Sequence, residues 1–430
     1  FPFNSGIRKS TGLWKKQLYG ESLKSLDSAW RFQSAHTKVT PVSHLTKINQ
    51  KDYIVYHQPR LVNEHEAIAE VTSLSDIPRF VRIDLRSGKE RRLVTPGIRA
   101  ERSSSMGGNT LVWSEIKRDA RWYHRSYAEI RLFDLKTGRR IALTRRSRLF
   151  SPDITPDGTL IAAVEKNIRQ ESAIVTIDPV SGRELDRFPL PYRQVAMNPA
   201  WGSDGKIVFV RQSEQGQTLA CLDTFNRTFR DMMPYSFREI NGKPETWQHY
   251  ILFSSAYNGI NNIFALDTNT RKVYEVTSAR FAATEPSMST ESDILLYADH
   301  SSGGTSIVKI PADTSGWVAA DMLRDYSYRL HEVISAQEGI NIQDIMLNTE
   351  WFRSDRPDST ERALQDSLTL RYPIKKFNRA SHLFLPHSWA PVSFNAGNLT
   401  MKPGIMVLSQ NLLSTMTASA GWEYDLNEKT

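Results

Sequence analysis

The chain is written in short apolar runs broken by turn residues, and one phrase recurs. An apolar strand ends in Asp, a short polar turn follows, and a second strand begins. The copies are Val81-Arg-Ile-Asp84-Leu-Arg-Ser-Gly88, Leu132-Phe-Asp134-Leu-Lys-Thr-Gly138, Val175-Thr-Ile-Asp178-Pro-Val-Ser-Gly182, Cys221-Leu-Asp223-Thr-Phe-Asn-Arg227 and Phe264-Ala-Leu-Asp267-Thr-Asn-Thr-Arg271. A worn sixth copy is Val308-Lys-Ile-Pro311-Ala-Asp-Thr-Ser-Gly316. Asp accepts hydrogen bonds from the amides just ahead of it, and Gly or Asn takes the positive φ of a tight reversal.

A second phrase interleaves with the first. Pro152-Asp-Ile-Thr-Pro-Asp-Gly158 leads into Thr159-Leu-Ile-Ala-Ala-Val164, and Pro199-Ala-Trp-Gly-Ser-Asp-Gly205 into Lys206-Ile-Val-Phe-Val210. Weaker copies begin at Pro59, Pro244 and Pro286, and Gly107-Gly108-Asn109 replaces the Pro-Asp-Gly turn in the second repeat. Four short strands in each unit of roughly 45 residues predict a β-propeller, because one such sheet cannot bury both faces alone. The spacing places six blades at 59–97, 98–148, 149–191, 192–235, 236–280 and 281–316. Tyr53-Ile-Val-Tyr56, ahead of the first, is expected to supply the strand that closes the last.

Composition adds little to this picture. The chain has 430 residues, of which 40% are hydrophobic, enough for one large or two ordinary domains. No apolar run reaches the roughly 20 residues of a membrane helix, which leaves barrel strands open. The single Cys221 rules out an internal disulfide and a cysteine metal cluster, and its strand-like setting predicts a buried structural residue. The net charge is +8, with arginines dense between Arg82 and Arg148. Such a face can approach phosphates or acidic glycans, or be a solvated blade edge that blocks strand pairing.

The Pro-Asp-Gly turn, the strand ending in Asp and the Leu143-Thr144 pair resemble the WD40-like (PD40) repeat of TolB-type propellers over about 260 residues. That resemblance implies the fold and says little of function. At the N-terminus, Phe3 to Gly12 and Leu13 to Trp30 read as helical, and resemble the tail of gluzincin-type metallopeptidase-like domains. No His-Glu-x-x-His helix follows, since His331-Glu332 lacks its second histidine. Residues 317–371 read as a linker. From 372 onward the texture alternates, with Met406, Leu408, Ala418, Ala420, Trp422 and Tyr424 on even positions and mostly polar residues between them. This stretch, with His382-Leu-Phe384 and His387-Ser-Trp389-Ala-Pro391, resembles the opening of a surface-antigen (D15/BamA-like) outer-membrane β-barrel. A soluble two-faced strand pair gives the same alternation.

The expected fold class is therefore all-β: a six-bladed propeller over 36–316, with a helical tail at 1–35 and first barrel strands at 372–430. No Gly-x-Ser-x-Gly elbow, P-loop or dinucleotide motif is present. Ser306-Ile-Val-Lys309 spells Ser-x-x-Lys but lies in a strand, where the two side chains diverge. The most site-like cluster is the second-blade excursion Asp119, Arg121, Trp122, Tyr123, His124 and Arg125, because insertions on propellers carry contacts and Arg, Trp and Tyr favour them. The competing reading is an Asp119–Arg121 turn with Trp122 covering the blade.

The function expected is a non-catalytic envelope module, in the periplasm or outer membrane of a Gram-negative bacterium. It would dock a protein, peptide or glycan beside a barrel, without cofactor, metal or nucleic acid. The alternative is the accessory domain of a zinc metallopeptidase whose catalytic helix lies outside this sequence. A third reading, a metal-using hydrolase or lyase at the channel bottom, needs inward Asp, Glu, His or Asn side chains to converge on the axis.

Overall fold

The computed structural model describes residues 38–46, 52–99, 101–122, 124–202, 204–288, 293–325, 386–395, 400–411 and 416–424, with isolated positions 28 and 339. The expected N-terminal helices, His331-Glu332 and His382 lie outside the described residues. Contacts divide the chain into two compact units, 1–117 with 127–327, and 118–126 with 328–430.

The first unit is built from sets of four antiparallel strands in sequence order. Blade 1 holds β2 (Ile54–Asn63), β3 (Glu66–Ser73), β4 (Arg79–Asp84) and β5 (Glu90–Val94). Blade 2 holds β6 (Ser104–Gly107), β7 (Thr110–Arg118), β8 (Ser126–Asp134) and β9 (Arg140–Ala142). Blade 3 is β10 (Leu149–Ile154), β11 (Ile161–Lys166), β12 (Ser172–Ile177) and β13 (Glu184–Pro189); blade 4 is β14 (Val195–Trp201), β15 (Ile207–Ser213), β16 (Gly216–Asp223) and β17 (Thr228–Asp231). Blade 5 is β18 (Ile240–Trp247), β19 (Tyr250–Ser255), β20 (Asn262–Asp267) and β21 (Val273–Glu275). The sixth set takes β22 (Ala282–Met288), β23 (Ile294–Ser301) and β24 (Gly304–Pro311), and borrows its fourth strand from β1 (Ser43–His44).

Apolar side chains join neighbouring sheets. One buried cluster lies between blades 1 and 2, where Phe80 meets Trp113 at 5.3 Å between ring centres. Others lie between 2 and 3, 3 and 4, 4 and 5, and 5 and 6, and one unites Leu296 and Ile307 of blade 6 with Ala67, Val81 and Ile83 of blade 1. Each first strand neighbours the next, from β2 round to β22 and back to β2. This radial packing of sheets is a β-propeller.

The ring closes differently from the expectation. Tyr53–Tyr56 does not complete the last blade: Ile54 begins the innermost strand of blade 1, five residues before the anticipated boundary at 59. Closure comes from β1, with Ser43 opposite Lys309 and His44 opposite Val308. A short parallel contact, Ile54 with Gly304 and Val55 with Thr305, also joins the two blades. It requires glycine: Gly304 sits at φ +122°, and a Cβ there would fall 2.0 Å from the Ile54 carbonyl oxygen.

The turn aspartates behave as the pattern predicts. Asp84 Oδ1 accepts the amides of Arg86 (2.9 Å) and Ser87 (2.7 Å), and Asp134 Oδ1 those of Lys136 (2.8 Å) and Thr137 (2.9 Å). The sixth copy differs. Its turn carboxylate is Asp313, two residues beyond the expected marker. The chain then leaves the blade, and β25 (Val318–Ala319) pairs with Tyr274 and Glu275 on blade 5.

The second unit contains an antiparallel meander of β26 (Pro386–Asn395), β27 (Thr400–Gln410) and β28 (Thr417–Glu423). The even positions of 406–424 do not form one face, because the hairpin reverses parity. Ile405 lies opposite Trp422, and Val407 opposite both Trp389 and Ala420. One face thus carries Trp389, Ile405, Val407, Ala420 and Trp422. The other carries Met406 and Leu408 among Ser388, Ser419, Gln410 and Thr417, with Lys402 paired to Glu423 at 3.3 Å.

Candidate functional site

Five of the six innermost strands share one irregularity. The ladder slips between His57 and Arg60, Phe150 and Asp153, Met197 and Ala200, Asn241 and Glu245, and Thr284 and Ser287. At each slip one residue adopts positive φ: Gln58, Ser151, Asn198, Gly242 and Glu285. Pro59, Pro152, Pro199, Pro244 and Pro286 follow, because a bulge is where a strand tolerates the missing N–H. The prolines that open the second sequence phrase are therefore bulge prolines inside strands.

The bulges tie the ring together about its axis. The Gln58 amide donates to Glu285 Oε2 at 2.8 Å, joining blades 6 and 1. Gln58 Oε1 accepts from the amide (2.6 Å) and hydroxyl (2.9 Å) of Ser104. The Ser151 hydroxyl donates to Asn198 Oδ1 at 3.1 Å, and Asn198 Nδ2 to the Gly242 carbonyl at 2.8 Å.

Just past the bulges the strand ends enclose an axial well of about 290 Å³. Five charged residues line it: Arg60, Asp153, Lys243 and Glu245 inside, and Glu64 on the exposed turn that follows β2. The Lys243 side chain is only 4% exposed, and its Nζ donates to Asp153 Oδ1. Asp153 Oδ2 accepts the Trp201 amide at 2.6 Å, and the Asp153 carbonyl accepts Trp201 Nε1 at 3.2 Å. Arg60 Nη1 pairs with Glu245 Oε2 at 2.5 Å and reaches Ser287 Oγ at 3.4 Å.

Burial pushes the Lys243 ammonium down, a fall that Asp153 partly offsets. Burial also disfavours the Arg60 cation, but Glu245 and Asp153 outweigh it and hold the guanidinium above its usual range. The two cations and two carboxylates inside the well balance, Glu64 at its exposed turn adds one negative charge, and the interior is rich in donors. An ammonium has three donors and a guanidinium five, and Arg60 Nε is buried without a partner among the described residues. Such a site suits a group rich in acceptor oxygens. The two carboxylates inside the well, Asp153 and Glu245, are spent on cations, and among the described residues no three His, Cys, Asp or Glu side chains are grouped to hold a metal.

None of the four charges inside the well stood among the predicted site residues. Their signal was present nonetheless, since Arg60, Asp153, Lys243 and Glu245 each adjoin a bulge proline. The predicted cluster lies elsewhere. Asp119 Oδ1 accepts the amides of Arg121 (2.8 Å) and Trp122 (3.2 Å), the Asp119 amide donates to the Arg125 carbonyl (2.9 Å), and the Arg125 amide to that of Trp122 (2.9 Å). The tip is a turn closed by its own aspartate, with Trp122 49% exposed and His124 also exposed. Tyr123 lies outside the described residues. Cys221 is half-buried on β16 rather than buried, and burial pushes its thiol up to about 11.

No family model matches the sequence, and no curated protein matches it. Among solved structures the chain is similar to the β-propeller domain of the Trilobed protease from Pyrococcus furiosus, at 12% identity and a TM-score of 0.41, over 61% of this chain and 97% of that one. It is similar to an oligogalacturonate lyase in complex with manganese at 11% identity and 0.45, over 65% and 98%. TolB from Acinetobacter baumannii is similar at 14% identity and 0.41, over 62% and 68%. These are likenesses of fold, and the propeller stands on the sheets and clusters described above.

Proposed function

We propose that the chain is a non-catalytic docking module, a closed six-bladed propeller whose axial well receives a carboxylate-bearing segment of a partner polypeptide. The observation that carries this reading is the buried pair of cations lining the well, Lys243 and Arg60, with Arg60 Nε buried and without a partner among the described residues. The exposed Asp119–Arg125 tip offers a second contact through Trp122 and the neighbouring arginines.

The setting we propose is the bacterial envelope, beside a membrane barrel that begins with β26–β28. Support comes from the 10 and 11 residues of β26 and β27, which suit a tilted barrel strand, and from a meander with one apolar face and one mixed face that carries an ion pair.

A random-peptide library selected on the immobilised full chain tests the docking role. Peptides ending in or carrying carboxylates are expected to be enriched. They should bind about tenfold more weakly or worse to Lys243→Met, as expected when one charged partner is removed. Thr246→Trp, which narrows the well without removing a charge, is expected to weaken them as well. Peptides or glycans that bind both variants as they bind the parent chain would overturn the assignment.

A further inference from the structure

Because the strands of each blade alternate in direction, its successive turns alternate between the two faces of the ring. The well opens among the turns that join first to second strands. The loops joining second to third strands, and the links between blades, lie on the opposite face. That opposite face places large apolar side chains at its loop tips: Leu74 and Ile77 in blade 1, Ile168 in blade 3, and Ile98, Tyr192 and Phe237 in the links. Their exposures run from 56% to 86%. Single exposed apolar residues are ordinary. Six such tips gathered on one face are not, and the turns of the well face carry only Val180 and Phe225 at comparable exposure among the described residues.

Cations stand between them. The link after blade 2 carries exposed Arg145, Arg146 and Arg148, and the blade 3 loop carries exposed Arg169 beside Ile168. Arg148 Nε donates to the Lys166 carbonyl at 2.8 Å, which brings this link against the end of β11. Among the described residues Arg145, Arg146 and Arg169 form no ion pair. The arginine density evident in the sequence is thus concentrated, in part, on one sector of a face that also presents aliphatic and aromatic tips.

We propose that this face docks on an anionic lipid surface. Charge complementarity sets the arginines against headgroup phosphates, each worth about 1 kcal/mol near an anionic bilayer. The Leu, Ile, Tyr and Phe tips are of the kind that enters the headgroup boundary. Separate tips on separate loops suit a deformable interface, whereas a folded protein partner calls for a contiguous apolar patch. Leu and Ile at the tips also fit lipid better than nucleic-acid bases, which stack on aromatic rings. This proposal does not depend on the axial well, which lies at the other face.

Sedimentation of the full chain with vesicles tests it. Phosphatidylcholine vesicles containing about one-third phosphatidylglycerol are expected to bind the chain more tightly than phosphatidylcholine alone, and less so as salt is raised. The triple variant Arg145→Glu/Arg146→Glu/Arg169→Glu is expected to weaken that binding about tenfold or more. Leu74→Ser/Ile168→Ser/Tyr192→Ser should weaken it comparably at unchanged thermal stability. Lys136→Glu/Arg139→Glu, in a third-to-fourth-strand turn on the well face, should leave it unchanged. Equal binding to neutral vesicles, parental binding by both loop-face variants, or binding of an acidic polypeptide or nucleic acid in place of vesicles would each overturn the proposal.

Discussion

Glu275 and Lys243 show how burial acts on single ionisable groups here. Glu275 lies at the end of β21, where Asn258 Nδ2 and Asn262 Nδ2 approach its Oε1 at 3.1 and 3.3 Å. Burial raises its carboxyl to about 7. A raised carboxyl binds its proton more tightly in the folded state. Its stabilisation is full below the unfolded value near 4.5 and is lost as pH rises through about 7. Glu275→Gln is therefore expected to stabilise the chain at pH 8 by an amount on the order of 2 kcal/mol, and to flatten stability between pH 5 and 7. Urea unfolding at several pH values reads this directly, and a parental slope retained in the variant would refute it. Lys243 presents the opposite problem, since removing it strands Asp153. Lys243→Met is expected to cost about 3 kcal/mol, and Lys243→Met/Asp153→Asn to recover part of that loss, by urea midpoints.

At the scale of elements, the strands and Asp turns were legible because each has a local cause. Alternation, β-branched residues and an Asx-type turn are written in consecutive residues. The bulges were half legible. Pro59, Pro152, Pro199, Pro244 and Pro286 recur at the right spacing, but the positive φ before each is a property of the strand they interrupt. The charges of the well are hidden in the sequence for that reason: a Pro-Arg or Pro-Asp pair looks like a turn until the bulge turns the strand toward the well. The alternation at 406–424 failed for a related reason, since a hairpin turn resets parity and a run of even positions is not a face. Backbone proximity is similarly invisible in sequence. Gly304 resembles any strand-end glycine, yet the Ile54 carbonyl leaves no room for a Cβ there. Gly304→Ala is expected to cost about 2 kcal/mol or more, through strain at positive φ and displacement of β24 from β2. A melting temperature within 1–2 °C of the parent, where that cost predicts a shift of several degrees, would refute it.

For the whole molecule, the question is what makes a ring of sheets one cooperative body. The clusters from blade 1 round to blade 6 join sheets that follow each other in the chain, whereas the last joins residues some 210 to 260 apart. Its ladder is short, being two residues of β1, and depends on its flanks. The Leu45 amide donates to the Ile307 carbonyl at 2.8 Å, and Thr46 Oγ1 accepts the Ile307 amide at 2.9 Å. On the far side Thr40 exchanges bonds with Ser278, its amide to the Ser278 carbonyl and its hydroxyl from the Ser278 amide, both at 2.9 Å. The sequence could not announce this strand, because Ser-His carries no apolar pattern and its partner lies at the other end of the repeat. Without it β24 becomes an open edge, and Leu296 and Ile307 lose the cover of Leu45. A chain lacking residues 1–46 is therefore expected to open locally, with amides of β22–β24 and β2 exchanging hydrogen well before those of blades 3 and 4. In the intact chain those strands should exchange together with the rest of the ring. Equal protection of blades 1, 3, 4 and 6 in the shortened chain would mean that the Ile54–Gly304 contact and the apolar cluster hold the ring without β1.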